Sequence, residues 1–199
     1  MKNNLVPHHG FVNKQHRRSL LKQKGTLLWL TGLPGSGKST IAYALEKFLI
    51  ENNRLCYVLD GDNIRLGLNS NLGFSSEDRQ ENIRRIGEVS ALFCDSGIIT
   101  IASFVSPYRQ DRSNVRQRFE SGEFIEIYVD TPLEICEERD PKGHYKKARS
   151  GEIKNFTGIS SDYEVPVNPE IKIDSLDNSL DKIIHSIVDY LTDNERLVA

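Results

Sequence analysis

The run TLLWLT at 26–31, followed directly by GLPGSGKS at 32–39, decides the fold. The first part carries no charge and has the length of a strand buried on both faces. Gly32, Leu33, Pro34, Gly35, Ser36, Gly37, Lys38 and Ser39 then satisfy the pattern GxxxxGK[ST]. Behind them Ile41, Ala44, Leu45, Phe48 and Leu49 share one face at helical spacing. Strand, glycine loop and helix in that order are the context the pattern needs in order to mean a phosphate-binding loop. The glycines let backbone N–H groups turn inward around phosphate oxygens, and the helix N-terminus adds partial positive charge. Lys38 is expected to reach the β- and γ-phosphates of ATP, and the Ser39 hydroxyl to be a ligand of Mg²⁺. Thr40, next in the chain, joins the same ATP-binding set.

Outward from this loop the rhythm repeats. Further apolar runs stand at Cys56–Asp60, Ile98–Ser103, Phe124–Asp130 and Ile171–Asp174. Between them lie helical patterns: Ile83, Ile86, Val89 and Phe93, and at the far end Leu180, Ile183, Ile184, Ile187, Val188 and Leu191. Strands alternating with helices predict crossover units, hence an α/β domain of the three-layer P-loop NTPase fold. Its central sheet is expected to be five-stranded and parallel, with helices on both faces. Ligands of such sheets bind beyond the carboxyl ends of the strands, so the residues just after each run are the candidates for function.

The chain has 199 residues, with 38% hydrophobic and 27% charged residues, which suits one globular domain. Its formal net charge of −2 gives no global field for nucleic acid. The basic residues are gathered locally. Lys2, Lys14, Arg17, Arg18, Lys22 and Lys24 form an acid-free extension over 1–24, ahead of a kinase domain over 25–199. Arg139, Lys142, Lys146, Lys147, Arg149 and Lys154 stand against only Asp140 and Glu152 in a segment without clear period. That stretch, about 139–169, reads as a basic lid, which would close over nucleotides and exclude water; a solvated charge run is the plainer reading of any one of its lysines. Cys56, Cys94 and Cys136 lie far apart with no metal-type spacing, as expected of buried thiols in the cytoplasm. No apolar run is long enough to span a bilayer, so no membrane partner is expected. In the extension Pro7, His8, His9 and Gly10 interrupt any amphipathic helix of a transit peptide.

The second run ends in DGDNIR at 60–65. Asp60 and Asp62, at a strand end beside the phosphate loop, can hold Mg²⁺ or take a proton from an attacking hydroxyl. As turn formers they could equally cap the next helix. Asp62 is the better candidate for the base, and it is also counted with Ser39 as a metal ligand. No guanine-reading NKxD follows, and the chain is short for a motor, so a small-acceptor kinase is favoured.

With GLN (67–69), LGFS (72–75), DR (78–79), ENIRR (81–85), SPYR (106–109), VDTPLEICEERDPKGHYKKAR (129–149), GEIKNFTGI (151–159) and Tyr163-Glu164-x-Pro166, the chain resembles the adenylylsulfate kinase family from about Leu28 to Glu170. The resemblance implies MgATP-dependent phosphorylation of the ribose 3′-hydroxyl of adenosine 5′-phosphosulfate, giving 3′-phosphoadenylyl sulfate, a step of sulfate assimilation. Against that acceptor, Arg65, Arg79 and Asn82 can meet the phosphosulfate, since an arginine fork suits such oxygens. The alternative for Arg79 is a solvated surface arginine. Similarity to the family implies that Phe74 and Phe156 sandwich the acceptor's adenine, where otherwise each would be a minor core anchor. Lys142 is counted with the acceptor set, and Arg139 is expected either to act within the lid or to lie against the ATP adenine.

Ser106 before Pro107 reads as a helix N-cap with proline at the first helical position. The resemblance adds that the serine of this motif is a phosphoserine intermediate in some members. In-line transfer needs positioning and charge neutralisation rather than a covalent stop, which favours the cap. Departures from the family are Pro34 in the loop, Leu66, His144, and Ser160-Ser161-Asp162 before Tyr163. A kinase for another nucleotide, or a regulatory nucleotide-binding module without turnover, are the competing readings; Lys38, Ser39 and Asp62 together disfavour the second. The extension could pack on the domain or contact a second subunit, which leaves a homodimer open.

Overall fold

In the computed structural model, which describes residues 6, 8, 10–176 and 178–197, all the expected strands form one parallel sheet. The chain runs α1 (Lys14–Leu21), β1 (Thr26–Thr31), α2 (Lys38–Glu51), β2 (Cys56–Asp60), α3 (Gly61–Arg65), α4 (Ser76–Asp95), β3 (Ile99–Ser103) and α5 (Arg109–Arg116). It continues through β4 (Phe124–Asp130), α6 (Leu133–Arg139), α7 (His144–Arg149), β5 (Ile171–Asp174) and α8 (Leu180–Asp193). The strand order is β2-β3-β1-β4-β5. β1 is bonded to β3 on one side and β4 on the other, with Leu28 opposite both Ile101 and Ile125.

Alternation along β1 builds the layers. Leu28 and Leu30 face Ile41, Leu45 and Leu49 of α2 and Ile183, Ile184, Ile187 and Leu191 of α8. Leu27 and Trp29 face the other way, onto Ile83 and Ile86 of α4, Val115 of α5, and Phe104 and Phe124. Each such side chain, fully buried, stabilises the fold by roughly 1.5–3 kcal/mol. Burial on both faces holds for β1, β3 and nearly all of β4. It fails for β2 and β5, which are the sheet edges and leave Tyr57 and Lys172 exposed.

α4 starts where its cap residue dictates: Ser75 Oγ accepts from the Asp78 amide at 3.1 Å. The glycine of that helix, Gly87, lies against Val115, where even a β-carbon would stand 3.0 Å from a methyl, so α4 and α5 pack closely. The basic N-terminal segment carries a helix, α1, that its pattern does not announce. Asn13 and His16 cap it reciprocally, at 3.1 and 3.3 Å. It is tied to the domain by Lys14 to Glu123 at 2.8 Å and Arg17 to Asp95 at 2.8 Å, and by the buried Gln23, which bonds Leu55 and Gly97. Residues 1–5, 7 and 9 of that segment, Lys2 and His9 among them, lie outside the described residues.

The stretch read above as a lid has order of its own. α7 and the turns after it close a small third core in which Tyr145, Ala148 and Phe156 pack on Cys136. Among the described residues no helix is long and apolar enough to cross a membrane.

Candidate active site

The carboxyl ends of β1, β2 and β3 converge on a cleft of about 690 Å³ lined by Gly35–Thr40, Asp60, Asp62, Arg139 and Lys142, with Tyr43, Asn63 and Ser175 at its edge. The loop at its floor can be made only with glycine at two points. At Gly32 (φ 155°) a β-carbon would lie 2.6 Å from the Val129 carbonyl, and Gly37 (φ 100°) turns the chain into α2. The loop is fixed from outside by Thr131, whose hydroxyl donates to the Ser36 carbonyl at 3.0 Å, and by Tyr145 of α7, whose hydroxyl donates to the Pro34 carbonyl at 2.8 Å.

Lys38 is only 7% exposed. Its ammonium donates to the carbonyls of Gly32 and Leu33 at 3.0 and 2.7 Å and to Ser36 Oγ at 3.3 Å. Burial, the chief cause, pushes it down from 10.5 to about 8, with the charge of Lys142 acting the same way and Asp60 against it. Ser39 Oγ donates to Asp60 Oδ2 at 2.7 Å, and Ser103 Oγ stands 3.4 Å from it. This all-oxygen corner suits a hard divalent cation such as Mg²⁺. Asp60 also caps α3, accepting from the Asp62 amide at 3.0 Å. Asp62 itself is exposed at the mouth of the cleft and paired with Lys142 across it. Arg139 reaches over the loop, its Nη1 being 3.9 Å from where a β-carbon on Gly37 would stand.

The residues expected to meet the acceptor come together, in a tighter arrangement than their spacing suggested. Arg79 donates from Nε to the Phe74 carbonyl at 3.0 Å, from Nη1 to Thr157 Oγ1 at 2.9 Å, and from Nη2 to the Asn155 carbonyl. It thereby ties the segment of Phe74 to that of Phe156. Arg65 donates to the carbonyls of Leu72 and Gly73 and covers the Phe74 ring at 4.5 Å. Burial first, and the neighbouring Arg79 charge second, hold Arg65 below its ordinary value. Phe74 is exposed, whereas Phe156 is buried edge-on against Tyr145 at 4.9 Å. Asn82 is buried and its Oδ1 accepts from Asn69 at 2.9 Å.

Ser106 is not the cap of a helix. α5 begins three residues later, at Arg109, and its N-cap position is Tyr108, with no side-chain cap bond. The reason lies in tertiary contacts. Ser106 Oγ accepts from Trp29 Nε1 at 3.0 Å and donates to Thr31 Oγ1 at 3.0 Å, which turns the hydroxyl inward and the backbone to φ 38°. The Arg109 amide is bonded instead by the Glu164 carboxylate at 2.7 Å. Ser106 is 2% exposed and is not among the residues lining the cleft.

Pattern reading missed Ser103, Thr131 and Tyr145. Ser103 and Thr131 sit at or just past strand ends, where a polar residue after an apolar run is the usable signal. Tyr145 had no local signal, because its partner is the loop at 34.

Over residues 24–174 the chain matches the protein family described as Adenylylsulphate kinase. The adenylyl-sulfate kinase of Clostridium acetobutylicum is 56% identical over 186 residues, covering 94% of this chain and 92% of that protein. That of Staphylococcus carnosus is 55% identical over 192 residues, 96% of each. Among solved structures, the Mycobacterium tuberculosis APS kinase CysC in complex with AMPPNP and APS superposes with a TM-score of 0.82 at 45% identity, covering 85% of this chain and 99% of that one.

Proposed function

The chain belongs to the adenylylsulphate kinase family, and from that footing we propose which of its residues carry the family's reaction. That reaction moves the terminal phosphoryl group of ATP to the ribose 3′-hydroxyl of adenosine 5′-phosphosulfate. The observation that carries the assignment is the meeting of Lys38, Ser39, Asp60, Asp62, Arg139 and Lys142 in one cleft.

The amides of residues 32–39, Pro34 excepted, cradle the β- and γ-phosphates, and Lys38 swings from its own loop carbonyls to their oxygens. Ser39 and Asp60 would hold Mg²⁺; the 2.7 Å contact between them supports Asp60 in that place and leaves Asp62 for the proton. When bound, the ion neutralises charge on the phosphates. Arg65 and Arg79 hold the phosphosulfate, and the segments of Phe74 and Phe156 flank the adenine of the acceptor. The 3′-oxygen attacks the γ-phosphorus in line, the bond to the bridging β–γ oxygen breaks, and ADP leaves. The hydroxyl proton passes to the Asp62 carboxylate, freed from Lys142 as that lysine turns to phosphate. Ser106 takes no phosphoryl group here; its hydroxyl is a buried link between Trp29 and Thr31. Cytoplasmic residence belongs to the same proposal, supported by three free, buried thiols at Cys56, Cys94 and Cys136.

Release of ADP at fixed MgATP, compared among adenosine 5′-phosphosulfate, AMP and adenosine, tests the reading. Turnover with the phosphosulfate should far exceed that with either of the others. Equal rates would end the assignment of the acceptor.

A further inference from the structure

Arg112, which the chemistry above does not use, is only 3% exposed on α5. Its Nε donates to Glu126 Oε1 at 2.7 Å, Nη1 to the Ser106 carbonyl at 2.6 Å, and Nη2 to the Glu164 carbonyl at 2.7 Å. Glu126 is 8% exposed in the middle of β4, where its neighbours Ile125 and Ile127 are core residues. A buried ion pair is seldom the most stable filling for such a place, since desolvating both charges offsets most of their attraction. What the pair does provide is a rigid, planar set of donors aimed in three directions.

Those directions matter because of what the two carbonyls belong to. Ser106 is held at φ 38°, a conformation that a residue with a side chain keeps only under outside constraint. Glu164 is stitched to the same loop twice: its amide donates to the Pro107 carbonyl at 2.9 Å, and its carboxylate accepts from the Arg109 amide at 2.7 Å. Tyr163, beside it, lies under the Arg112 guanidinium and bonds the Thr31 hydroxyl at 2.9 Å, one residue before the phosphate loop begins. Arg112 is thus the point where the loop after β3, the end of the lid segment and the sheet are joined.

We infer that Arg112 is a positioning residue for the acceptor, with Glu126 as its buried counter-charge: it holds residues 106–109 and 163–165 together as one wall behind the cleft, and the chain runs back from that wall through Ser161, bridged to Thr157, whose hydroxyl Arg79 bonds. This rests on the reading of the acceptor given above. Arg112→Lys keeps a charge for Glu126 but not the fork, so the two carbonyls lose their common donor. The wall loosens while the phosphate loop, held independently through Thr131 and Tyr145, stays in place.

The test is steady-state kinetics of Arg112→Lys with MgATP and adenosine 5′-phosphosulfate varied separately, alongside the indole N–H resonance of Trp29, the chain's single tryptophan, which donates to Ser106. KM for the acceptor should rise by about tenfold or more while KM for MgATP stays within about twofold, and the indole resonance should move. An unchanged acceptor KM, or both KM values rising together, overturns the inference. Should Arg112→Lys not fold, Glu164→Ala loosens the same wall from its exposed end and should raise acceptor KM several-fold; no rise counts against the inference. If the wild-type chain does not use the phosphosulfate at all, the acceptor assignment has failed. An indole resonance unmoved by Arg112→Lys then separately refutes the wall.

Discussion

Binding of a nucleoside triphosphate should drive a proton onto Lys38, and that proton can be counted. As the side chain stands, burial brings its ammonium from 10.5 down to about 8. Roughly a tenth of the lysine is then neutral at pH 7 and roughly nine-tenths at pH 9. Triphosphate oxygens around the amine favour the charged form and return its pKa to well above 9. Uptake should therefore be about 0.1 proton per nucleotide at pH 7 and about 0.9 at pH 9. Over the same interval the apparent Kd should weaken roughly tenfold, which is ~1.4 kcal/mol. Calorimetry of a non-hydrolysable ATP analogue, in buffers of different ionisation enthalpy, gives the proton number from the slope, with Lys38→Met as the control. Fewer than about 0.3 proton at pH 9, or the same uptake in Lys38→Met, would refute the account of this lysine.

The shift has a consequence for stability with a definite sign. The folded value lies below the unfolded one, so between about pH 8 and 10.5 the unfolded chain holds more protons, and this group's contribution to stability rises with pH. Below pH 8 the full cost of burying the ammonium is present, on the order of 3 kcal/mol at ~1.4 kcal/mol per pH unit. The hydrogen bonds to Gly32, Leu33 and Ser36 offset part of it. Lys38→Met should thus melt no lower than the wild type at pH 7 while losing turnover, and a markedly lower Tm would contradict the assigned cost.

Two other substitutions separate the roles around the cleft. Asp62→Asn should lower kcat by roughly 10²–10⁴ while MgATP binding changes far less; a kcat within a few-fold of wild type would place the base elsewhere. Ser106→Ala removes the acceptor of the Trp29 indole and should cost about 1 kcal/mol of stability, with most turnover retained and no phosphoprotein formed from labelled ATP. A folded but wholly inactive Ser106→Ala would restore the covalent role.

How much of this was legible follows from where the partners of each residue lie. TLLWLT and the runs at 99–103 and 124–130 could be read because a strand covered on both faces shows its burial in its own composition. The phosphate loop could be read because its chemistry is made by consecutive residues. Arg79 was legible only as a cation on the right helix. That its guanidinium joins Phe74 to Asn155 and Thr157 depends on a contact 76 to 78 residues away in the chain. α1 stayed hidden because its cap, Asn13 with His16, is not the usual pairing, and its hold on the domain comes from Asp95 and Glu123.

Ser106 shows the same limit from the other side, since the local rule that favoured a helix cap there gave a mistaken answer. Serine before proline does favour a helix start, by an energy of about 1 kcal/mol. Two hydrogen bonds to Trp29 and Thr31, together with the Arg112 grip on its carbonyl, outweigh that preference and delay the helix to Arg109. One sign of this network did stand in the sequence. Glu126 interrupts FIEIYVD, a run otherwise fit for burial, and a carboxylate in such a strand requires a cation brought to it by the fold. Arg112 and Arg116, a helical turn apart on α5, are the cations that meet it, at 2.7 and 3.4 Å. The misplaced charge in β4 and the misread serine after β3 are therefore two ends of one arrangement, in which Arg112 spans the distance between them.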